Sequence, residues 1–175
     1  MELPASDPHV LRIVPPDQLI WNGQLYPCAL GKGGIRSEKR EGDGATPVGH
    51  FTLRRLFYRP DRLPSPKTGL ILQALMPEDG WCDDPNHSAY NQLITRPFPA
   101  SHERLWRDDH VYDLIVEIGY NDDPIYTGYG SAIFMHIAEP DYKATAGCVA
   151  LRQDHLLEIL RSCGPETVLA IPAPS

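Results

Sequence analysis

Proline is the residue that most restricts how this chain can fold, because 18 of its 175 residues are proline. That share is about twice the usual one, and proline inside a helix removes a backbone hydrogen bond. Long helices are therefore disfavoured. Residues 155–163 contain no proline and have apolar side chains at helical spacing, with Asp154 as a candidate N-cap and Gly164-Pro165 as a stop. The sequence predicts one substantial helix near the carboxyl terminus.

Short strands account for most of the other regular structure that the sequence predicts. Asn22-Gly23 separates two apolar runs, and this dipeptide supplies the positive φ angles of a type I′ hairpin turn. Strand-length apolar runs predict further strands at 51–58, 111–119, 132–137 and 167–171. The predicted fold class is therefore mainly β, a β-rich α+β protein.

Length and charge narrow the domain organisation and the classes of partner. A chain of 175 residues is most simply one domain, which we place at 10–175 after an N-terminal extension of residues 1–9. The net charge of −7 argues against a nucleic-acid partner, because no excess of cations is available to neutralise phosphates. No segment approaches the roughly 20 consecutive apolar residues of a membrane span. The four cysteines have no C-x-x-C spacing, so a zinc ribbon is not supported.

Residues 131–151 carry the side chains best suited to catalysis. His136 lies on a predicted strand, and Cys148 follows a turn of small residues that ends in Gly147. A free thiol has a pKa of about 8.5, and an imidazole within hydrogen-bond reach can lower that pKa and later protonate a leaving amine. Amide N–H groups beside Gly147 are candidates for stabilising an oxyanion. The alternative for each residue alone is packing, since a strand histidine or a buried cysteine is often structural.

Cys82 is the rival nucleophile. It lies beside Trp81 on one side and Asp83 and Asp84 on the other. The two carboxylates would raise the pKa of the Cys82 thiol and make it a poorer nucleophile. Cys148 is the better candidate.

The residues around Cys148 resemble the catalytic signature of the L,D-transpeptidase (YkuD-type) family of bacterial cell-wall enzymes. That signature is a His on one strand and a later Ser/Thr-x-Gly-Cys turn, and it matches His136, Thr145, Gly147 and Cys148 here. A second family feature, T-P-x-G-x-aromatic, appears at 46–51. The resemblance implies a mixed-sheet β-sandwich, a Cys148 nucleophile, His136 as general base and acid, and Thr145 as a residue that orders either the turn or the histidine. It implies neither a metal nor another cofactor.

The chain departs from the family signature at one position next to the nucleophile. The signature usually has Arg or Asn two residues after the cysteine, and this chain has Ala150. The His-to-Cys connection also looks shorter than in better-known branches of the family. Arg152 can partly replace the missing charge, or it can be a solvated residue at the start of the helix. These differences put the choice of substrate in question and leave the nucleophile unchanged.

The irregular segment 59–107 is the predicted substrate-binding region, since a long irregular segment in a compact domain is usually functional. Trp81 and Tyr90 are suited to line a groove for a peptide, while Asp84 or Asn91 can bind an amine. Packing alone is an equally good interpretation of these aromatic residues. A metal held by residues 83, 84 and 87 fits no known ligand spacing.

The resemblance implies acyl transfer on peptidoglycan stem peptides through a thioester, with cross-links as the product. The acyl donor is expected to be diaminopimelate or, because Ala150 leaves room, L-Ala. An L,D-carboxypeptidase that trims D-Ala from muropeptides and a non-catalytic wall-binding module are the alternatives. The family's work implies the periplasm or cell wall, but the first ten residues lack the basic start and apolar run of a secretory signal. A cytoplasmic location is therefore the alternative expectation.

Overall fold

The computed structural model describes residues 7–175, so most of the predicted extension 1–9 lies outside the described residues. The regular elements are fourteen strands and one helix. They are β1 (Val10–Val14), β2 (Gln18–Trp21), β3 (Gln24–Pro27), β4 (Ile35–Arg36), β5 (Thr46–Pro47), β6 (Gly49–Tyr58), β7 (Ile71–Ala74), β8 (Asp79–Cys82), β9 (Leu93–Thr95), β10 (His102–Arg104), β11 (Leu114–Ile118), β12 (Phe134–Ile137), β13 (Val149–Leu151), α1 (Gln153–Leu160) and β14 (Val168–Ile171).

Nine strands form one mixed sheet, in the order β13-β12-β11-β6-β14-β1-β2-β3, with β7 also pairing with β6. The long strand β6 joins the two halves of this sheet. Its first residues pair with β14, and its remaining residues pair with β11 and β7. The prediction of a mainly β fold with a mixed sheet and one carboxyl-terminal helix is confirmed.

A register shift between Glu117 and Ile118 of β11 lets β6 serve both halves of the sheet. Strict alternation would place Leu53 and Leu56 on opposite faces, yet both belong to the main hydrophobic core. The extra residue in β6 at this shift resets the alternation, as a β-bulge does. The core therefore receives side chains from both ends of the sheet, including Leu11, Leu19 and Met135, together with Leu156 and Ile159 of α1.

The predicted hairpin at Asn22-Gly23 is confirmed. Strands β2 and β3 pair in an antiparallel register with Trp21 opposite Gln24. Both turn residues have positive φ angles, 49° for Asn22 and 78° for Gly23. Since glycine and asparagine tolerate this region best, the dipeptide fixes the turn and with it the register.

The predicted helix exists but starts earlier than the sequence indicated. It begins at Gln153 rather than His155, its N-cap residue is Arg152, and no side chain caps its amino end. The prediction that Asp154 caps the helix is therefore wrong: Asp154 lies in the first turn, where a carboxylate is favoured by the helix dipole. No helix within residues 7–175 is both long and apolar enough to cross a membrane.

The sequence did not predict the regular structure within residues 59–107. This segment contains β7 and a separate three-stranded sheet in the order β10-β8-β9. The strands are three or four residues long and lie between prolines and turns, so they show no periodicity. Their pairing partners are set by the tertiary structure. Glu103 of β10 lines the cavity described below.

We expect Leu56→Ala to lower the free energy of unfolding by roughly 2–5 kcal/mol, because Leu56 is fully buried in the core and its removal leaves a cavity. Ile71→Ala on the neighbouring strand β7 is the matched control, since Ile71 is 71% exposed and its loss should change stability by less than about 0.5 kcal/mol. Urea unfolding followed by circular dichroism measures both. Equal losses would contradict the assignment of the core.

Candidate active site

Parallel pairing of two short strands brings Cys148 close to His136. Strand β12 pairs with β13 so that Met135 lies opposite Val149 and His136 lies opposite Ala150. Cys148 directly precedes β13, one residue before the Met135 pair, so this register places it beside Phe134. Side chains two residues apart share one face of a strand, and His136 and Cys148 therefore open on the same side. Both line one cavity of about 440 Å³.

Gly147 is required by the backbone of the turn before Cys148. Its φ is +134°, a conformation that residues with a side chain rarely adopt. A Cβ atom at this position would lie 2.7 Å from the carbonyl oxygen of Ala45 and 3.0 Å from Ile133 Cδ1. The glycine therefore lets the turn approach Ala45, directly before β5. This close approach fixes the position of Cys148.

Thr46 anchors the same turn from the T-P-x-G motif. Its hydroxyl donates to the carbonyl oxygen of Gly147 at 2.9 Å and accepts from the amide of Gly31 at 2.9 Å. The side chain is fully buried, so neither backbone group has water as a substitute partner. A trans peptide directs its C=O and N–H in opposite directions. The amide N–H of Cys148 therefore points away from Thr46.

Thr145 holds the turn from within. Its hydroxyl donates to the carbonyl oxygen of Cys148 at 2.7 Å and accepts from the amide of Gly147 at 3.0 Å. The Gly147 amide is thereby occupied. Among residues 7–175, the amide of Cys148 donates to no protein acceptor. Of the two amides that the sequence singled out for an oxyanion, the Cys148 amide is the one left free.

The sulfur of Cys148 is held by the backbone of the neighbouring strand. Sγ accepts from the Phe134 amide at 3.3 Å and donates to the Ala132 carbonyl oxygen at 3.3 Å. A thiol that donates carries its proton. In the described part of the chain no hydrogen bond joins Cys148 to His136.

The tautomer of His136 follows from its one hydrogen bond. Nδ1 lies 2.9 Å from the carbonyl oxygen of Ile137, which can only accept, so Nδ1 carries the proton. Nε2 is left with a free lone pair. The ring also packs edge-on against Tyr112, with the ring centroids 5.3 Å apart. His136 is thus fixed in the form that can accept a proton through Nε2.

Burial keeps both reacting groups uncharged at neutral pH. Desolvation, followed by the charge of Glu103, raises the pKa of the Cys148 thiol to about 12, against the opposing effects of the Phe134 amide and Lys39. Desolvation also lowers the pKa of His136 to about 4. The resting site therefore holds a thiol and a neutral imidazole, not the thiolate with a lowered pKa beside an imidazole that the sequence suggested. Proton transfer has to accompany attack on a substrate.

The other three thiols are less suited to attack. Cys28, Cys82 and Cys163 are 2%, 0% and 2% exposed, and none of them lines the cavity. Burial raises the pKa of Cys82, the direction that the sequence predicted; a backbone hydrogen bond from Asp84 opposes this effect, and the charges of Asp83 and Asp84 add to it.

The cavity wall contains charged residues of both signs that the sequence analysis did not assign to the site. Lys32, Lys39, Arg107 and Lys143 supply positive charge, and Glu41, Asp83, Glu103 and Glu139 supply negative charge. From its composition, the glycine-rich loop with Lys32, Arg36, Lys39 and Arg40 is expected to be solvated or to contact substrate carboxylates. Lys39 is in fact 5% exposed and pairs with Asp43 at 2.6 Å. Short strands that pair only in the tertiary structure left no sequence signal for Glu103.

The predicted substrate-binding residues lie behind the cavity wall and do not line it. Trp81 is buried against Phe134 and donates from Nε1 to Asn91 Oδ1 at 2.9 Å. Tyr90 is buried and donates to Glu41 at 2.5 Å. Asp84 accepts the amide of Asn86 in a local turn. The packing interpretation of the aromatic residues agrees with these contacts.

Arg152 also lies away from the cavity. It pairs with Asp154 at 2.7 Å on the exposed start of α1. Ala150, in contrast, is opposite His136 in the sheet and lines the cavity with its small side chain. Among residues 7–175, no group of three or more His, Cys, Asp or Glu side chains is arranged to hold a metal ion.

We expect Thr46→Val to slow acylation of Cys148 by 4-nitrophenyl acetate by roughly tenfold to a hundredfold, because the Cys148 amide is no longer held in place for the oxyanion. Thr46→Ser keeps the hydroxyl and should restore the rate. Alkylation by iodoacetamide forms no oxyanion and should change little in either variant. Equal losses in both reactions would instead indicate general disruption of the site.

The pH dependence of acylation should report His136. The protonated imidazole, which prevails below the pKa of about 4, cannot accept a proton. The rate should therefore rise as the pH passes through about 4 and stay level through neutral pH. His136→Gln should remove this plateau and leave a rate that climbs with hydroxide. A wild-type midpoint near the ordinary histidine value of about 6.5 would contradict the buried neutral imidazole.

Comparison with known proteins agrees with this geometry. The family model for the L,D-transpeptidase catalytic domain (YkuD) matches residues 6–171. Comparison with curated proteins and with solved structures found no match. The matched residues include both strands of the candidate site, the T-P-x-G motif and the helix. With a mixed β-sheet, a buried cysteine behind a Thr-x-Gly turn and a histidine on the adjacent strand, the chain belongs to the YkuD family of L,D-transpeptidase catalytic domains.

Proposed function

We propose that this protein is a cysteine-dependent L,D-transpeptidase that acts on peptidoglycan stem peptides through a thioester and forms cross-links. The observation that carries the proposal is that Cys148 and His136 line the same cavity of about 440 Å³, on adjacent paired strands. The volume lies within the range of about 300–1,000 Å³ that small-molecule and peptide-fragment sites occupy.

The first half of the reaction transfers the acyl group to the enzyme. Cys148 Sγ attacks the carbonyl carbon of the L-residue as His136 Nε2 takes the thiol proton. The free amide of Cys148 stabilises the resulting oxyanion. The C–N bond then breaks, His136 returns the proton to the leaving amine of the D-residue, and a thioester remains on Cys148.

The second half depends on the acceptor. An amine of a second stem attacks the thioester carbonyl, loses its proton to His136, and releases Cys148 as a thiol with a new cross-link. Water in the same role gives an L,D-carboxypeptidase, which is the second candidate function. The mixed charges of the cavity wall suit stem peptides, because these substrates carry both carboxylates and amines.

The donor bond is proposed from the shape of the site next to His136. The stem's diaminopimelate is the donor that we favour, and L-Ala is the alternative. The small side chain of Ala150 is compatible with both donors, since its methyl group leaves space where a longer side chain would narrow the cavity. We place the reaction in the periplasm or cell wall, with cytoplasmic trimming of muropeptides as the counterpart of the carboxypeptidase activity.

We expect Cys148→Ala to abolish product formation from purified disaccharide tetrapeptide while the protein stays folded, because the nucleophile is lost and the methyl group fits the space. Mass spectrometry distinguishes cross-linked dimers from loss of terminal D-Ala alone. Cys82→Ala is the matched control and should retain activity. Iodoacetamide should label Cys148 ahead of the other three thiols in the wild type.

Three results would contradict the proposal. A Cys148→Ala variant that keeps full function would indicate a non-catalytic wall-binding module. Labelling that begins at Cys82 would place the reactive thiol elsewhere. Loss of D-Ala without any dimer would favour the carboxypeptidase.

A further inference from the structure

Glu103 is a charged side chain in the catalytic cavity that the proposed mechanism does not use. It lies on β10, the edge strand of the three-stranded sheet, opposite Trp81 of β8. Its carboxyl group lines the same cavity as Cys148 and His136. The Glu103 side chain is half-buried, and the Tyr112 hydroxyl donates to its Oε1. The Tyr112 ring in turn packs against His136, so this carboxylate is connected to the catalytic pair by direct contacts.

The Glu103 carboxylate lacks a cationic partner. Among residues 7–175, no Lys, Arg or His nitrogen lies within 4 Å of it, and its Oε2 accepts no hydrogen bond. Arg107, which also lines the cavity, is committed to Asp109 at 2.5 Å. A carboxylate that is partly withdrawn from water is normally paired, because an isolated charge there loses part of its hydration. An unpaired carboxylate that opens on a catalytic cavity therefore suits a positively charged group of the substrate.

Several groups around Glu103 set its charge. Burial is the largest effect and raises the pKa of Glu103, while the Tyr112 hydrogen bond opposes it. The other charged groups that act on Glu103 are Arg107, which favours the carboxylate, and Asp83 and Glu41, which disfavour it. An arriving cation would add to the effect of Arg107 and favour the carboxylate further.

The charge of Glu103 also acts on the nucleophile. After burial, it is the largest effect that raises the pKa of the Cys148 thiol. A negative charge near the sulfur disfavours a second negative charge there. A cation paired with Glu103 would cancel this repulsion. Binding of the substrate and activation of the nucleophile would then be coupled through one side chain.

We propose that Glu103, an unpaired carboxylate in the cavity that also contains Cys148 and His136, determines specificity by binding a primary ammonium group of the substrate. The inference rests on the proposed function, because stem peptides carry such an ammonium group on diaminopimelate. The donor stem and the acceptor stem can each supply it. Water supplies no cation, so the pairing favours amine acceptors over hydrolysis.

The test compares wild type with Glu103→Gln, which keeps the shape of the side chain and removes its charge. Glu78→Gln is the matched control, since Glu78 is exposed, lies next to β8 and does not line the cavity. The first measurement is the pH dependence of Cys148 alkylation by iodoacetamide, a neutral reagent. In Glu103→Gln the rise in alkylation with pH should occur at lower pH than in wild type, whereas Glu78→Gln should match wild type.

The second measurement identifies the source of the ammonium. If the donor supplies it, Glu103→Gln should slow thioester formation from disaccharide tetrapeptide by roughly tenfold to a hundredfold and leave an N-acetylated tetrapeptide unaffected. If the acceptor supplies it, the variant should slow attack by the second stem to a similar extent and leave hydrolysis of the same thioester unchanged. Either result supports the proposal. Two outcomes would overturn the proposal. In the first, Glu103→Gln and wild type react at equal rates with every substrate. In the second, Glu103→Gln is slowed equally with free and acetylated donors, and equally with amine and water acceptors.

Two results keep this inference separate from the proposed function. If Cys148→Ala retains product formation, the proposed function fails. If Cys148→Ala is inactive while Glu103→Gln behaves as wild type in both measurements, only the role of Glu103 fails. If Glu103→Gln does not fold, measurements on the wild type alone test the proposal. The proposal is contradicted if the wild type is acylated equally by free and acetylated donors and shows no preference for an amine over water as acceptor.

Discussion

The parallel pairing of β12 with β13 is the interaction on which the site depends. Each strand has only three or four residues, and the pair lies at one end of the nine-stranded sheet. The register that sets His136 opposite Ala150 also determines that Cys148 opens on the same face. A shift of one residue would turn either side chain to the opposite face and separate the pair. The proposed reaction therefore requires that the pairing register of β12 and β13 be fixed.

Three contacts outside the two strands specify that register. Ala29 pairs with Ala150 on the edge of β13 that faces away from β12, and Gly31 pairs with Thr145. The Thr46 hydroxyl then fastens the turn through the Gly147 carbonyl. Because these partners come from a loop that is remote in sequence, the T-P-x-G motif and the Thr-x-Gly-Cys turn form one structural unit. The T-P-x-G motif therefore stabilises the position of the Thr-x-Gly-Cys turn.

The site combines a buried nucleophile with a cavity wall that carries charges. Burial makes the thiol and the imidazole neutral, which protects the sulfur at rest and requires that substrate trigger the proton transfer. The charged residues, by contrast, line the cavity into which Cys148 and His136 open. Close to low-dielectric protein these charges act over short distances more strongly than they would in bulk water. The reactivity of Cys148 is thereby expected to depend on a ligand that pairs with the charged residues of the cavity wall.

The sequence by itself determined the strand-rich fold, the Asn22-Gly23 hairpin, the single late helix and the choice of Cys148 and His136 as a candidate pair. Each of these follows from local chemistry: proline content, a turn dipeptide, apolar spacing, or a glycine turn beside a thiol. Only the tertiary structure decided the rest. It placed Glu103 in the cavity, put Trp81 and Tyr90 behind its wall, and set the protonation of the candidate pair, because burial and non-local strand pairing depend on segments far apart in the chain.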